Sequence, residues 1–339
     1  MKLTKCLRQF FDQYLIGLKG ASKHTVKAYQ DTFALFLSFA VKYHSCKISS
    51  LDIEHLTNNL IMDFLDHLET KRHNKAVTRN LRLASFQSLA KMIRILYPEQ
   101  RNIAERLMNI PKKRVQKKLI GFLSQEEILK VFDAVNLKRK EGFRDYTILH
   151  LLFDSGARAS EITTLNLDYF DSQRKTLAIL GKGNRYRLIE LWPKTAQLIQ
   201  QYIATYRINP KPGYTDRLFI NQQGEELTRH GIYRLCKKYL CLALPQNRLK
   251  NLHPAHSFRH SCAMNMLASG DPITDIKNRL GHANIQSTMT YLQLNLTRKR
   301  EVQKRFIKYT QTLLPSDYKI EELIDWQNKK ETLEWLDSL

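Results

Sequence analysis

The sequence predicts an α+β protein that is mostly helical: an N-terminal four-helix bundle, then a mixed domain with a small antiparallel sheet. Three observations carry that prediction. Apolar residues recur at three- and four-residue intervals over most of the 339 residues. Only residues 176–180 and 185–191, either side of Gly181-Lys182-Gly183-Asn184, have the pattern of a β-hairpin. A basic run after Pro111 divides the chain into two parts, each long enough to fold around its own core.

In chain order, Leu7, Phe10, Phe11, Tyr14, Leu15 and Leu18 form the apolar stripe of a first helix. A second starts at Ser22 and holds Val26, Tyr29, Phe33, Phe36, Leu37 and Phe39. Segments 56–69 and 76–96 (Leu81, Leu83, Phe86, Leu89, Ile93, Leu96) complete a bundle spanning residues 1–110. Pro111 stops helix, and Lys112, Lys113, Arg114, Lys117 and Lys118 make 111–121 a basic linker, at once a tether and a strap for a phosphate backbone. The second domain, 122–310, opens on a capping box, Ser124-x-x-Glu127, ahead of Ile128, Leu129, Val131 and Phe132. Residues 147–165 read as helix, break at Gly156, and helix again. The hairpin follows, and helical patterns return at 193–206, 229–242, 257–268, 272–280 and 286–294. Residues 311–339 read as an acidic, amphipathic helical tail with Ile320, Leu323, Ile324, Leu333, Trp335 and Leu336 on its apolar side.

Composition narrows the classes. Lys and Arg number 55 against 32 Asp and Glu, a net +23, while 43% of residues are hydrophobic, so the charge belongs to folded domains rather than a disordered tail. The net charge is +13 over residues 1–118 and +14 over 119–310, and −4 over the last 29 residues. Two basic domains suggest a clamp around a polyanion such as a duplex; Lys and Arg solvating helix faces would explain a smaller imbalance. No apolar run is long enough to span a bilayer and the N-terminus has no signal-peptide pattern. The five cysteines are scattered without a Cys-x-x-Cys pair, against a disulfide scaffold or zinc ribbon. The expectation is a cytoplasmic protein with a nucleic-acid partner and no membrane association.

The chemistry-bearing residues include no phosphate-binding glycine loop, no dinucleotide fingerprint and no His-Glu-x-x-His, and neither a cofactor nor a metal is expected. His256 and His260, four apart on one helix face, have chelating spacing, but Arg259 between them disfavours a cation. A better reading gathers cationic and proton-transfer groups about one phosphate. Arg158 follows a Gly-Ala break and precedes Glu161, which can hold its guanidinium. Lys182 sits at the hairpin tip, His256 and Arg259 share a helix turn, His282 follows a Leu-Gly helix stop, and Tyr291 lies nine residues on. Taken singly, each has an ordinary explanation as surface charge, turn or core residue.

Their order changes the weight. SGARASE (155–161), LGKGNRYRLIEL (180–191), HSFRH (256–260) and LGHANIQSTMTY (280–291) together resemble the tyrosine recombinase (phage integrase) family, in the style of its Xer-type, integron and transposon members. KHTVKAYQDTFALFLSF (23–39) is similar to the first DNA-clamping helix region of that family. The resemblance implies that Arg158 and Arg259 are the arginine pair, Lys182 the hairpin lysine, His256 and His282 the two histidines, Tyr291 the nucleophile and Glu161 the acidic residue after the first arginine. It implies a site-specific recombinase that cuts and rejoins double-stranded DNA through a 3′-phosphotyrosine without metal or ATP, acting as a homo-oligomer, a tetramer in the synaptic complex.

The residue types suit that chemistry. Two guanidiniums offer bidentate donors to the non-bridging oxygens of a phosphodiester. A histidine such as His256 can take or relay the tyrosine proton, and Lys182 can protonate the leaving 5′-oxygen. There are departures from the family pattern. Ala157 and Ala159 flank Arg158 where bulkier residues are common, and Ala255 lengthens the approach to His256, leaving His253 as a rival for its role. A tail of 48 residues follows Tyr291 and either docks on a neighbouring protomer, as in the family, or packs on its own domain. These departures point to a mobile element's enzyme over chromosome or plasmid resolution. Two other readings keep the fold: a non-catalytic DNA-binding protein, and a type IB topoisomerase-like relaxing enzyme.

Overall fold

The computed structural model describes residues 1–115, 121–181, 183 and 185–294, with only the backbone of Leu292–Leu294. Lys182, part of the basic linker and the acidic tail therefore lie outside the described residues. The chain divides into two compact units, Met1–Lys118 and Leu119–Leu339.

In the first unit, α1 (Leu3–Gln9) runs on into a π-helical stretch, Phe10–Leu18, and is followed by α2 (Lys23–His44), α3 (Asn58–Thr70), α4 (Ala76–Leu96) and α5 (Arg101–Met108). Side chains close the helix starts: Ser22 Oγ accepts from the Thr25 N–H at 3.3 Å and Thr57 Oγ1 from the Leu60 N–H at 3.2 Å. The core is aromatic, with Phe86 edge-on to Phe36 and Phe33 at ring separations of 4.9 and 5.1 Å. Two expectations are corrected. Leu18 and Leu81, placed in apolar stripes, are exposed at 70% and 66%: Leu18 ends the π-helical stretch, which buries Phe10, Tyr14 and Leu15, and the buried face of α4 runs through Leu83, Phe86, Leu89, Ala90 and Ile93. The short α5 was not foreseen; its eight residues bury only Ala104 and Leu107, too few for a periodic signal. Lys113 of the linker meets this unit, its Nζ 2.6 Å from Glu69 and its backbone N–H donated to Asn80 Oδ1 at 3.0 Å.

The second unit opens with α6 (Gln125–Asp133), where the Ser124–Glu127 capping box forms in both directions. Leu129 is an exception to its predicted stripe, at 61% exposed. Helix α7 (Lys140–Ser155) stops at Gly156, whose φ of 60° is left-handed, and α8 (Ala159–Thr163) follows. Three antiparallel strands, β1 (Phe170–Asp171), β2 (Thr176–Leu180) and β3 (Tyr186–Glu190), lie in the order β1-β2-β3, with Thr176 opposite Glu190 and Leu180 opposite Tyr186. The two-residue β1 had no sequence signal. Then come α9 (Pro193–Gln201), α10 (Arg229–Ala243), the short α11 (Gln246–Leu249), α12 (Pro254–Ser269), α13 (Ile273–Leu280) and α14 (Gln286–Leu294). The main core gathers Ile148, Leu152, Ile179, Ile199, Leu240 and Phe258. A smaller cluster, Ala263, Leu267, Ile276, Leu280 and Tyr291, seats α14 against α12 and α13. Among the described residues no helix is long and apolar enough to cross a membrane.

Candidate active site

Arg158 is the residue before α8, and Glu161 ties it there. The carboxylate accepts the Arg158 backbone N–H at 2.8 Å on one oxygen and its Nη1 at 2.7 Å on the other. Glu161 is 5% exposed and takes two more donors from Arg187 on β3, at 2.7 and 3.2 Å. Burial works to raise the Glu161 carboxyl, but Arg187 and Arg158 together hold it below its ordinary range. Arg187 also donates through Nε to the Arg279 carbonyl at 3.0 Å, so the hairpin strand is pinned to the end of α13. Gly281 makes this possible: its φ is 65°, and a Cβ there would lie 2.9 Å from Arg187 Nη1.

Arg259, on α12, is 3% exposed. It donates to the Gly156 carbonyl at 2.6 Å and to the Leu280 carbonyl at 2.7 Å, so one guanidinium joins the corner before Arg158 to the corner before His282. Burial and the neighbouring Arg158 lower it to about 10, still protonated at neutral pH. Behind it, Asp154 accepts from Arg279 and from the Trp192 N–H, at 2.8 Å in the latter case, while burial raises its carboxyl against the pull of Arg279.

The two family histidines and the tyrosine meet this frame from different sides. His282 Nδ1 lies 2.9 Å from Thr288 Oγ1, and burial, with Arg259 and Arg158 nearby, lowers the imidazole to about 4. His256 is also held below its ordinary value, by burial first and then by His253 and Arg259. Tyr291 is 2% exposed, and burial raises its phenol to about 12 against the pull of Arg259. Its hydroxyl bonds neither His256 nor His282 but His260 Nδ1, at 2.8 Å. Arg158, Arg229, His230, Tyr233, His253 and His256 line an open cavity of about 820 Å³ that holds two guanidiniums, three imidazoles and no carboxylate. A second cavity of about 680 Å³, around Arg144, Asp145 and Tyr239, shares none of these residues. Among the described residues no group of three or more His, Cys, Asp or Glu side chains is placed to hold a metal.

Residues 121–298 match the phage integrase family and residues 8–94 match the phage integrase N-terminal SAM-like domain. The chain belongs to the phage integrase family of tyrosine recombinases. It is 30% identical over 300 residues to a putative integrase/recombinase, y4rC, of Sinorhizobium fredii, covering 88% of this chain and 89% of that one. It is 29% identical to the tyrosine recombinase XerD of Staphylococcus epidermidis, over 85% of this chain and 94% of the other. Its fold is shared with the XerH site-specific recombinase bound to a palindromic difH substrate (TM-score 0.64, 20% identity, 89% and 87% of the two chains). It is shared also with the Tn1549 transposon integrase in complex with a circular intermediate DNA (TM-score 0.61, 17% identity, 84% and 94%). Tyrosine recombinases are DNA strand-exchanging enzymes, and this one is a site-specific recombinase by family.

Of the six residues predicted in this recombinase, Arg158, Arg259, His282 and Tyr291 are linked through bonded or mutually charged neighbours, and His256 lines the cavity with Arg158. Lys182 lies outside the described residues. His260, Arg187, Asp154 and Arg279 were missed. The spacing of His260 from His256 suggests only a metal pair; Arg187 carried no sequence signal, since alternation in Tyr186-Arg187-Leu188 would turn the apolar neighbours inward, whereas both are exposed.

Proposed function

We propose that this recombinase cuts and rejoins double-stranded DNA with Tyr291 as nucleophile and Arg158, Lys182, His256, Arg259 and His282 as its catalytic partners. The observation that carries the reading is Arg259. A guanidinium 3% exposed and bonded to the carbonyls of Gly156 and Leu280 joins the corners that precede Arg158 and His282, with Tyr291 as an electrostatic neighbour. An anion between Arg158 and Arg259 would receive charge-assisted donors where the charge of a five-coordinate phosphorus develops. His282 and His256 would hydrogen-bond the phosphoryl oxygens, and Lys182 would protonate the 5′-oxygen as it leaves. The 3′-phosphotyrosine keeps the bond energy, so a 5′-hydroxyl from a second duplex can reseal the strand. The DNA in the XerH and Tn1549 complexes supports a duplex substrate.

In this reading residues 1–110 clamp the duplex, 111–121 link, 122–310 carry catalysis and 311–339 form a docking tail, with protomers assembling on DNA as a tetramer. The enzyme works in the cytoplasm, on the nucleoid. The test begins with a duplex selected from a randomised pool by binding to the full chain. Nicked near its cleavage point, that duplex should trap a covalent adduct in the wild type and none in Tyr291→Phe. Binding without any adduct would leave a non-catalytic DNA-binding protein, and an adduct without exchange between two duplexes a topoisomerase-like one.

A further inference from the structure

We propose that His260 is the group that takes the proton from the Tyr291 hydroxyl, on a helix face whose next imidazoles, His256 and His253, line the cavity beside Arg158. The proposal rests on Tyr291 being the nucleophile and gives a catalytic role to a residue of the HSFRH motif to which the resemblance assigned none.

The first argument is contact. His260 Nδ1 is 2.8 Å from Tyr291 Oη, within the distance a proton crosses directly. Tyr291 is 2% exposed, so bulk water has little access to serve in its place. The second argument is direction. Positions 253, 256 and 260 are spaced three and four apart, so they stack on one face of the helix. Ring centroids are 4.8 Å apart for His253 and His256, 6.2 Å for His256 and His260, and 5.7 Å for His260 and Tyr291. The row thus leads from the buried phenol to His256 and His253, which line the 820 Å³ cavity.

The third argument concerns timing. His260 is faced by His256 and Arg259 from its own helix, His253 at that helix's start, His282 from the turn after α13, and Tyr291 from α14. Burial first, with the neighbouring imidazoles and the Arg259 guanidinium, brings its imidazole to about 4, so it is neutral at pH 7 with a lone pair to offer. The Tyr291 phenol stands at about 12, so in the empty site the proton stays on oxygen. A phosphate entering between Arg158 and Arg259 offsets their charge and raises the basicity of His260. In the step itself the Oη–H bond breaks and the proton bonds Nδ1. The oxygen's electron pair forms the Oη–P bond as the P–O5′ bond breaks, and the 5′-oxygen takes its proton from a separate acid, the place Lys182 fills by motif. Resealing runs the same transfers backwards.

The test uses the full chain and the nicked duplex selected above, made with an ordinary 5′-oxygen and with sulfur in that bridging position. A sulfur leaving group needs no acid but still needs a base at the nucleophile. His260→Gln keeps an acceptor beside Oη yet cannot take a proton. It should bind the duplex within about threefold of wild type and form the adduct about 10²–10⁴-fold more slowly, with sulfur giving no recovery. His260→Ala should show the same loss and regain part of the rate when imidazole is added. Adduct formation by His260→Gln within about threefold of wild type, or recovery of its rate by sulfur, overturns the proposal while leaving Tyr291 as nucleophile. Absence of any wild-type adduct overturns the nucleophile reading and this proposal with it.

Discussion

Replacing Arg187 with Met removes a charge that never touches the phosphate in the proposed mechanism, yet it should damage both stability and cleavage. Arg187 Nη1 and Nη2 reach both oxygens of Glu161, and the two side chains are 12% and 5% exposed. Breaking a buried pair by deleting one partner costs about 3–5 kcal/mol, because the survivor is left charged in a poor solvent. Glu161 keeps Arg158, whose side chain is one-third exposed, so the expected loss sits near the lower figure, about 3 kcal/mol. The bond from Arg187 Nε to the Arg279 carbonyl goes as well. Tryptophan fluorescence can follow the second unit alone: the chain has three tryptophans, Trp192, Trp326 and Trp335, and Phe at the last two leaves only Trp192. Urea unfolding in that background gives the loss. Glu161 sits below its ordinary carboxylate range in the native state, so its contribution is present at neutral pH and is lost as acid protonates it. The gap between wild type and Arg187→Met should therefore narrow as pH falls through the carboxylate range. Pairing the change with Glu161→Gln should cost less than the two single losses added together. A loss under about 1 kcal/mol, or a gap unchanged by acid, would refute the claim that this pair is a buried, mutually dependent unit.

Three further outcomes follow from the same geometry. Gly281→Ala forces a side chain into the left-handed region and against Arg187, so thermal melting should show a loss of about 1–2 kcal/mol, with adduct formation slowed further; an unchanged melt would count against the close approach. His150, His260 and His282 are each lowered to about 4, chiefly by burial, so the unfolded chain takes up protons near pH 6.5 that the native chain refuses until about 4. Urea midpoints should fall steadily between pH 6.5 and 4, and a flat profile would show these imidazoles to be solvated. With a net charge of +23, binding to the selected duplex should weaken steeply as salt rises, and Tyr291→Phe, which removes no charge, should keep the wild-type slope. A changed slope in that variant would mean the tyrosine holds the bound conformation together.

What the sequence revealed and what it hid separates by range. The start of α2 after Ser22, the hairpin strand over residues 176–180 and the capping box at Ser124 depend on neighbours a few positions away, and all are in the structure as read. The exposed Leu18 and Leu81 show the limit of even that local signal, since an apolar residue at the margin of a stripe does not announce which side of the margin it falls on. The motif order is specific enough to nominate the residues of the proposed site, whereas the bonds among them were not legible. Arg259 reaches carbonyls 103 and 21 positions away, Arg187 a carboxylate 26 away, and His260 a hydroxyl 31 away. The i, i+4 spacing of His256 and His260 correctly put them on one face but said nothing of what that face meets. Composition has the same blind spot for charge. An arginine on a solvated face and one bonded to buried carbonyls add equally to the +23, yet only the second carries a desolvation penalty that has to be offset by something. In Arg259 that offset comes from the carbonyls of Gly156 and Leu280 and from the nearby Glu161 carboxylate. In the proposed mechanism a phosphate between Arg158 and Arg259 would add to it, which is the physical reason an anion would be held there.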